Sequence, residues 1–190
     1  ITGLGGYVGG VTGETSVNIS DCFATETTVN GGGSEGLPVG GVVGNLYKAT
    51  AKNCYFTGTV NGTTPVDDTY STNLEVGGIF GRAYGCTIDR CFSKANILGY
   101  DSKANVGGVV GTFIASQLTN SYATGRVQSS ASKLAGGITG RVLAYTIDGT
   151  LIQPVIKNCY TAGTIDAETY QYNPDTEYRE TLGTVDEGTT

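Results

Sequence analysis

The sequence predicts an all-β fold: a right-handed parallel β-solenoid, or β-helix, of about five coils, with a β-hairpin inserted in the fifth repeat. Three observations carry this expectation. A glycine motif returns five times, as VGGVTG (Val8 to Gly13), VGGVVG (Val39 to Gly44), VGGIFG (Val76 to Gly81), VGGVVG (Val106 to Gly111) and AGGITG (Ala135 to Gly140). A second motif follows each copy: ISDCF (Ile19 to Phe23), AKNCY (Ala51 to Tyr55), IDRCF (Ile88 to Phe92), LTNSY (Leu118 to Tyr122) and IKNCY (Ile156 to Tyr160). Helix is disfavoured, because β-branched residues and glycine dominate and no stretch sustains a 3.6-residue apolar period.

The glycine motif comes first in each repeat. Fifteen of the 31 glycines lie in its five copies, so glycine here is positional and does not mark a low-complexity polymer. Glycine within a strand costs roughly 0.5–1 kcal/mol relative to alanine. Its recurrence in register therefore implies corners of positive φ or close approach of successive backbones, with Val11, Val42, Ile79, Val109 and Ile138 pointing inward between the glycines.

The cysteine motif opens a strand. Alternation from Cys54 sets Cys54, Phe56, Gly58 and Val60 on the inward face and Tyr55, Thr57 and Thr59 on the other. Strands of three to six residues and a narrow core of small side chains are expected. Asn30 to Pro38 and Asn61 to Asn73, rich in Gly, Thr, Asn or Pro, read as loops. In the fifth repeat, VLAYTIDGTLIQ places Asp148 and Gly149 between two apolar-alternating arms, a hairpin signal that accounts for nine extra residues. The repeats are thus 8–29, 37–60, 74–97, 104–127 and 134–165, within a single body of residues 1–165. The repeat length leaves open whether one repeat closes a full turn.

Residues 166–190 form an acidic tail, seven carboxylates against Arg179 alone, which accounts for the whole formal charge of −6. Its tyrosines, Tyr170, Tyr172 and Tyr178, suit either a cap over the last coil or a linker to a following domain. The body is neutral and has no basic stripe, which predicts no nucleic-acid partner. No apolar run approaches the ~20 residues that span a bilayer, so no membrane insertion is expected within this chain. A start at Ile1 rather than Met points to a processed chain or a segment of a longer polypeptide with other domains.

VGGVVG followed by NCYFTGTV resembles the GLUG motif, the glycine-rich repeat of large bacterial surface proteins and of some IgA-cleaving metallopeptidases. The resemblance covers residues 8–165 and departs from the pattern at Ser121, at Ala135 and in the fifth-repeat insertion. It implies a repetitive β region of an exported protein, often associated with adhesion, and carries over no catalytic residue. The peptidase activity of that family lies in a separate zinc domain. This chain contains no histidine, so it holds no HExxH.

Three sets of side chains are candidates for chemistry. Cys22, Cys54, Cys91 and Cys159, with Ser121, occupy one column, and spacings of 30 or more residues are unlike CxxC metal pairs. A structural ladder of free thiols is expected, with Cys86 outside the column, no metal site and no cofactor. The aromatic column Phe23, Tyr55, Phe92, Tyr122 and Tyr160 is the ligand-binding candidate, a flat strip able to hold sugar rings or a partner protein. Its rival reading is packing under a loop or at a coil corner. Asp67 and Asp68 in a Thr-rich loop, Asp89 in its own column and Asp148 in a turn form no convergent catalytic set. Asp67 and Asp68 also lack the DxDxDG spacing of a calcium loop. The resulting expectation is a non-catalytic structural or adhesive module of an exported bacterial cell-surface protein, with a host or neighbouring-cell surface protein or glycan as partner. The alternatives are carbohydrate binding on the aromatic strip and, more distantly, a polysaccharide-degrading β-helix, which needs two carboxylates within ~10 Å in one cleft.

Overall fold

A computed structural model describes residues 1–3, 5–33, 37–64, 74–100, 103–130, 134–172 and 179–186, with side chains through residue 167. The chain winds through four parallel sheets, here I to IV, visiting each once per repeat. Sheet I stacks Val8–Gly9, Val39–Gly40, Glu75–Gly77, Asn105–Gly107 and Leu134–Gly136. Sheet II stacks Thr12–Thr15, Val43–Tyr47, Phe80–Tyr84, Val110–Ile114 and Thr139–Leu143. Sheet III stacks Ile19–Ser20, Thr50–Lys52, Thr87–Asp89, Gln117–Thr119 and Val155–Lys157. Sheet IV begins with Phe23–Gly32, Tyr55–Thr63 and Phe92–Tyr100, then continues as two shorter pieces per coil. One repeat therefore closes one full coil, and five repeats make five coils. Equivalent residues face each other across every rung: Val8 pairs with Val39, Val39 with Val76, Val76 with Val106 and Val106 with Ala135.

The glycine motif is explained by close approach rather than by positive φ. Left-handed glycines do occur, at Gly32, Gly33, Gly58, Gly85 and Gly149, but none of them belongs to the motif. A Cβ on Gly77 would lie 1.9 Å from the Phe80 carbonyl oxygen, and one on Gly81 would lie 2.5 Å from the Val39 nitrogen of the preceding coil. Sheets I and II thus meet backbone against backbone at the motif, where no side chain fits. The second glycine of the pair meets the next coil as well as the core: a Cβ on Gly41 would lie 2.2 Å from the Gly78 carbonyl oxygen and 2.4 Å from the Phe56 ring.

Corners of positive φ are present elsewhere. The residue before the thiol column is left-handed in every coil: Asp21, Asn53, Arg90, Asn120 and Asn158 have φ of 55°, 53°, 52°, 51° and 54°. Asn and Asp tolerate this region better than other side chains. Here they also join one another across rungs, Asn53 Nδ2 donating to Asp21 Oδ1 (3.0 Å) and Asn158 Nδ2 to Asn120 Oδ1 (3.1 Å).

Two expectations are corrected. Strands in sheet IV reach nine and ten residues, running through Asn30–Gly32 and Asn61–Thr63, where loops were expected. The Asn61 amide donates to Asn30 Oδ1 (2.9 Å), and Gly62 packs under Val76, so the polar and glycine positions are held in register. The core is also not confined to small side chains, since Phe56, Phe80 and Phe113 are fully buried among Leu46, Ile79, Ile88 and Leu118. The inward positions Val42, Ile79 and Val109 are buried, Ile138 packs against the core, and Val11 of the first coil is 50% exposed.

The fifth-repeat hairpin pairs Tyr145–Ile147 with Thr150–Ile152. Its turn residues Asp148 and Gly149 have φ of 50° and 78°, as a two-residue primed turn requires. In the tail, Ile165–Tyr172 adds in parallel to Val127–Ser129, and Arg179–Asp186 returns antiparallel along it. Asp67 and Asp68 lie outside the described residues.

The clash at Gly77 gives a measurable expectation. Gly77→Ala should lower stability by at least about 2 kcal/mol, read from the urea midpoint, because backbone on both sides must move. Gly6→Ala, where an added Cβ meets nothing within 4 Å, should change it by less than about 0.5 kcal/mol. Equal effects would remove the close-approach account of the motif.

Candidate functional site

The structure brings together both sequence-predicted columns. Cys22, Cys54, Cys91 and Cys159 repeat one interaction, each thiol donating to the carbonyl two residues earlier, and the Ser121 hydroxyl does the same to Thr119 at 2.7 Å. All five cysteines are free. Cys86 starts a second, shorter column at another corner, where its backbone N–H donates to Ser116 Oγ (2.9 Å) in the next coil. Burial pushes the Cys22, Cys86 and Cys159 thiols up, and a hydrogen bond with Cys54, together with burial, does so at Cys91.

The aromatic column forms a face-to-face stack. Phe23, Tyr55, Phe92, Tyr122 and Tyr160 follow one another at centroid separations of 4.8, 4.9, 5.1 and 5.1 Å, with interplanar angles of 9° or less. Each inner ring has both faces covered by its neighbours. Only ring edges line the strip, and free faces remain at its ends, on Phe23 and Tyr160, which are 54% and 56% exposed. A sugar stacked on a ring needs an open face, so the geometry suits a packing role worth about 0.5–1.5 kcal/mol per pair beyond burial.

A different site lies along sheet II. A groove of about 370 Å³ crosses all five coils and has two walls in register. Its polar column is Glu14, Asn45, Arg82, Thr112 and Arg141, one residue per coil. Its second column, two residues on, is Tyr47, Tyr84, Ile114 and Leu143, with Tyr47 and Tyr84 stacked at 5.2 Å. Glu75 reaches in from sheet I and Tyr7 closes the end at the first coil.

The polar column is governed by the residue seven positions earlier, at the start of sheet I. In the third coil Arg82 Nε donates to Glu75 Oε2 at 2.5 Å, and in the fourth Asn105 Nδ2 donates to Thr112 Oγ1 at 3.0 Å. In the second and fifth coils that residue is Pro38 or Leu134, which offers no polar side chain. The consequences differ in kind. Asn45, only 5% exposed, donates to Glu14 Oε1 (2.8 Å) while its buried Oδ1 has no hydrogen-bond partner. The Arg141 side chain, half-buried, makes no hydrogen bond or ion pair among the described residues, and its charge reaches Glu75 only at a distance.

Burial pushes the Glu75 carboxyl above its ordinary 4.5, and the bond and charge of Arg82 offset this only in part. The opposite holds for Asp89, whose carboxyl is pulled below the usual range by hydrogen bonds from Asn120 and Thr119. Asp89 is an acceptor in the corner ladder, and Asp148 belongs to the hairpin turn. A smaller groove on sheet IV, of about 270 Å³, contains Arg126, which is paired with Asp166.

The sheet II groove was legible in part. The residue after the last glycine of each motif is polar in all five copies, and reading the residue just before each motif beside it would have exposed the seven-residue pairs.

Residues 39–61, the second coil, match the family model of the GLUG motif. No curated protein matches the chain.

Two expectations follow from burial of these groups. Iodoacetamide at pH 8 should leave Cys86 and Cys91 unmodified in the folded protein and label all five thiols in denaturant; fast labelling of Cys91 would contradict a dry column. Glu75 carries its proton more readily in the folded than in the unfolded chain, so its contribution is present below about 4.5 and is lost as pH rises through its raised value. Between that pH and neutrality, urea midpoints of Glu75→Gln should therefore fall less steeply with rising pH than those of the parent; identical slopes would refute a desolvated Glu75.

Proposed function

The chain is a GLUG-motif repeat protein, and from that premise we propose that it is a non-catalytic structural and adhesive module of an exported bacterial cell-surface protein. The observation that carries the proposal is the unbroken five-coil stack, in which polar side chains are largely committed to one another across rungs. Such a rod is additive and stiff, and it presents its grooves at fixed spacing, as a spacer or an adhesive surface requires. The neutral body and the surface-protein setting of the motif agree with this role.

Catalysis is disfavoured on chemical grounds. Glu14 and Glu75 do line one groove, which is what a polysaccharide-degrading site needs. Glu75, however, is clamped by Arg82, and Glu14 accepts from the Asn45 amide, so neither is set to pass a proton to a substrate. Sugar binding on the aromatic strip is also disfavoured, because its inner rings offer no face.

The test is retention of the labelled chain on mucin-coated surfaces and on epithelial and bacterial cells, run beside a reducing-end assay on a polysaccharide panel. Saturable retention without new reducing ends is expected. Release of reducing ends that Glu75→Gln abolishes would replace the proposal with an enzyme, and absence of retention on every surface would remove its adhesive half.

A further inference from the structure

We propose that the sheet II groove is a binding site for an acidic oligosaccharide, with its carboxylate on Arg141 and a ring hydroxyl donating to Asn45 Oδ1. The inference deepens the adhesive reading and rests on it. Four features of the groove specify the ligand.

The first is the cation. Arg141 is the guanidinium of the groove that makes no ion pair or side-chain hydrogen bond among the described residues, its charge reaching Glu75 only at a distance, because Leu134 stands where Glu75 serves Arg82. A planar fork of donors in a half-buried site takes a carboxylate in two parallel bonds and gains more there than in open water. The Thr112 hydroxyl, one rung away, adds a polar neighbour on the same floor. The charges are also polarised: Arg82 and Arg141 against Glu75 leave the half nearest the last coil with one positive charge in excess, and Glu14 sits at the opposite end. An anion therefore enters with a defined orientation.

The second is the orphan acceptor. A buried amide oxygen without a donor is unfavourable, because its lost hydration is not replaced. Asn45 lines the groove, and a ligand hydroxyl is the donor its amide oxygen lacks.

The third is the pair of walls. Tyr47, Tyr84, Ile114 and Leu143 form a largely apolar wall beside the polar column, and a pyranose has the same division between apolar ring face and polar rim. The fourth is spacing. Asn45 and Arg141 are three rungs apart, about 14 Å at ~4.8 Å per rung, so one sugar does not reach both and a short oligosaccharide lying across the strands does.

Uronate and sialate sugars share this chemistry, and calorimetry on the 190-residue chain separates them, with trigalacturonate, its methyl ester and sialyllactose as probes. At least one acidic probe should bind, and against trigalacturonate the methyl ester should be weaker by about tenfold or more. Arg141→Gln, checked for an unchanged melting curve, should weaken the acid by a similar factor and abolish the preference over the ester. Asn45→Ala should weaken whatever binds without changing that preference. The proposal is overturned if neither acid binds, if acid and ester bind alike, if Arg141→Gln leaves affinity unchanged, or if poly-glutamate competes as well as the sugars do. Retention of Arg141→Gln on cell surfaces alongside any of these would sink the groove assignment alone and leave the adhesive reading standing.

Discussion

Within the inner coils every side chain must tolerate a copy of its own position about 4.8 Å away, above and below. That single condition sorts the columns by chemistry. Apolar groups satisfy it with profit, as Val39, Val76 and Val106 do in sheet I and as the stacked aromatic rings do in sheet IV. Thiols satisfy it by turning to their own backbone. Amides satisfy it because one side chain carries both donor and acceptor, which is why Asn30 and Asn61, or Asn120 and Asn158, can form ladders. Charges cannot repeat, since like charges directly opposite repel. The columns Lys52, Asp89, Thr119, Lys157 and Glu14, Asn45, Arg82, Thr112, Arg141 accordingly place no two like charges on adjacent rungs.

The same condition fails at the ends, where half the neighbours are missing. Val11 occupies the position that is buried at Val42, Ile79 and Val109, yet half of its surface is open. Phe23 and Tyr160 show the effect at the two limits of the aromatic stack. Among the described residues only sheet IV has an added strand at the far end: Arg179–Asp186 pairs with the edge that Ile165–Tyr172 would otherwise expose, and an unpaired edge is a template for aggregation.

Columns were legible in the sequence because periodicity displays them directly. The motif copies fixed which residues share a rung, the Asp148–Gly149 turn fixed the hairpin, and the Ser121 replacement marked the thiols as dispensable for chemistry. Contacts between columns were hidden. Whether the motif glycines turn the chain or admit another backbone depends on how sheets I and II approach, and no spacing within the motif encodes that. The left-handed corner was written in the Asp or Asn that precedes the thiol column in four of five coils, but its meaning appears only when the φ values of all five agree. The aromatic column was legible by position and the turn of its rings was not, because alternation assigns a side chain to a face without saying how its ring is turned.

The groove depends on a relation between two columns that periodicity alone does not display. Residues seven apart, one at the start of sheet I and one in sheet II, face each other across the close approach that the glycines permit. Where both are polar, they satisfy each other, and the Glu75–Arg82 pair, in which Glu75 is buried and Arg82 is partly exposed, serves geometry more than stability, since desolvation of Glu75 offsets much of its Coulombic gain. Where the first is Pro38 or Leu134, the second is left with bonding capacity. A strictly repeated pair would have produced a uniform ladder with nothing left over. Variation in the first column, against a polar second column kept in every coil, places free valences in the second and fifth coils and a neutralised pair between them, and the proposed extended ligand site rests on that arrangement.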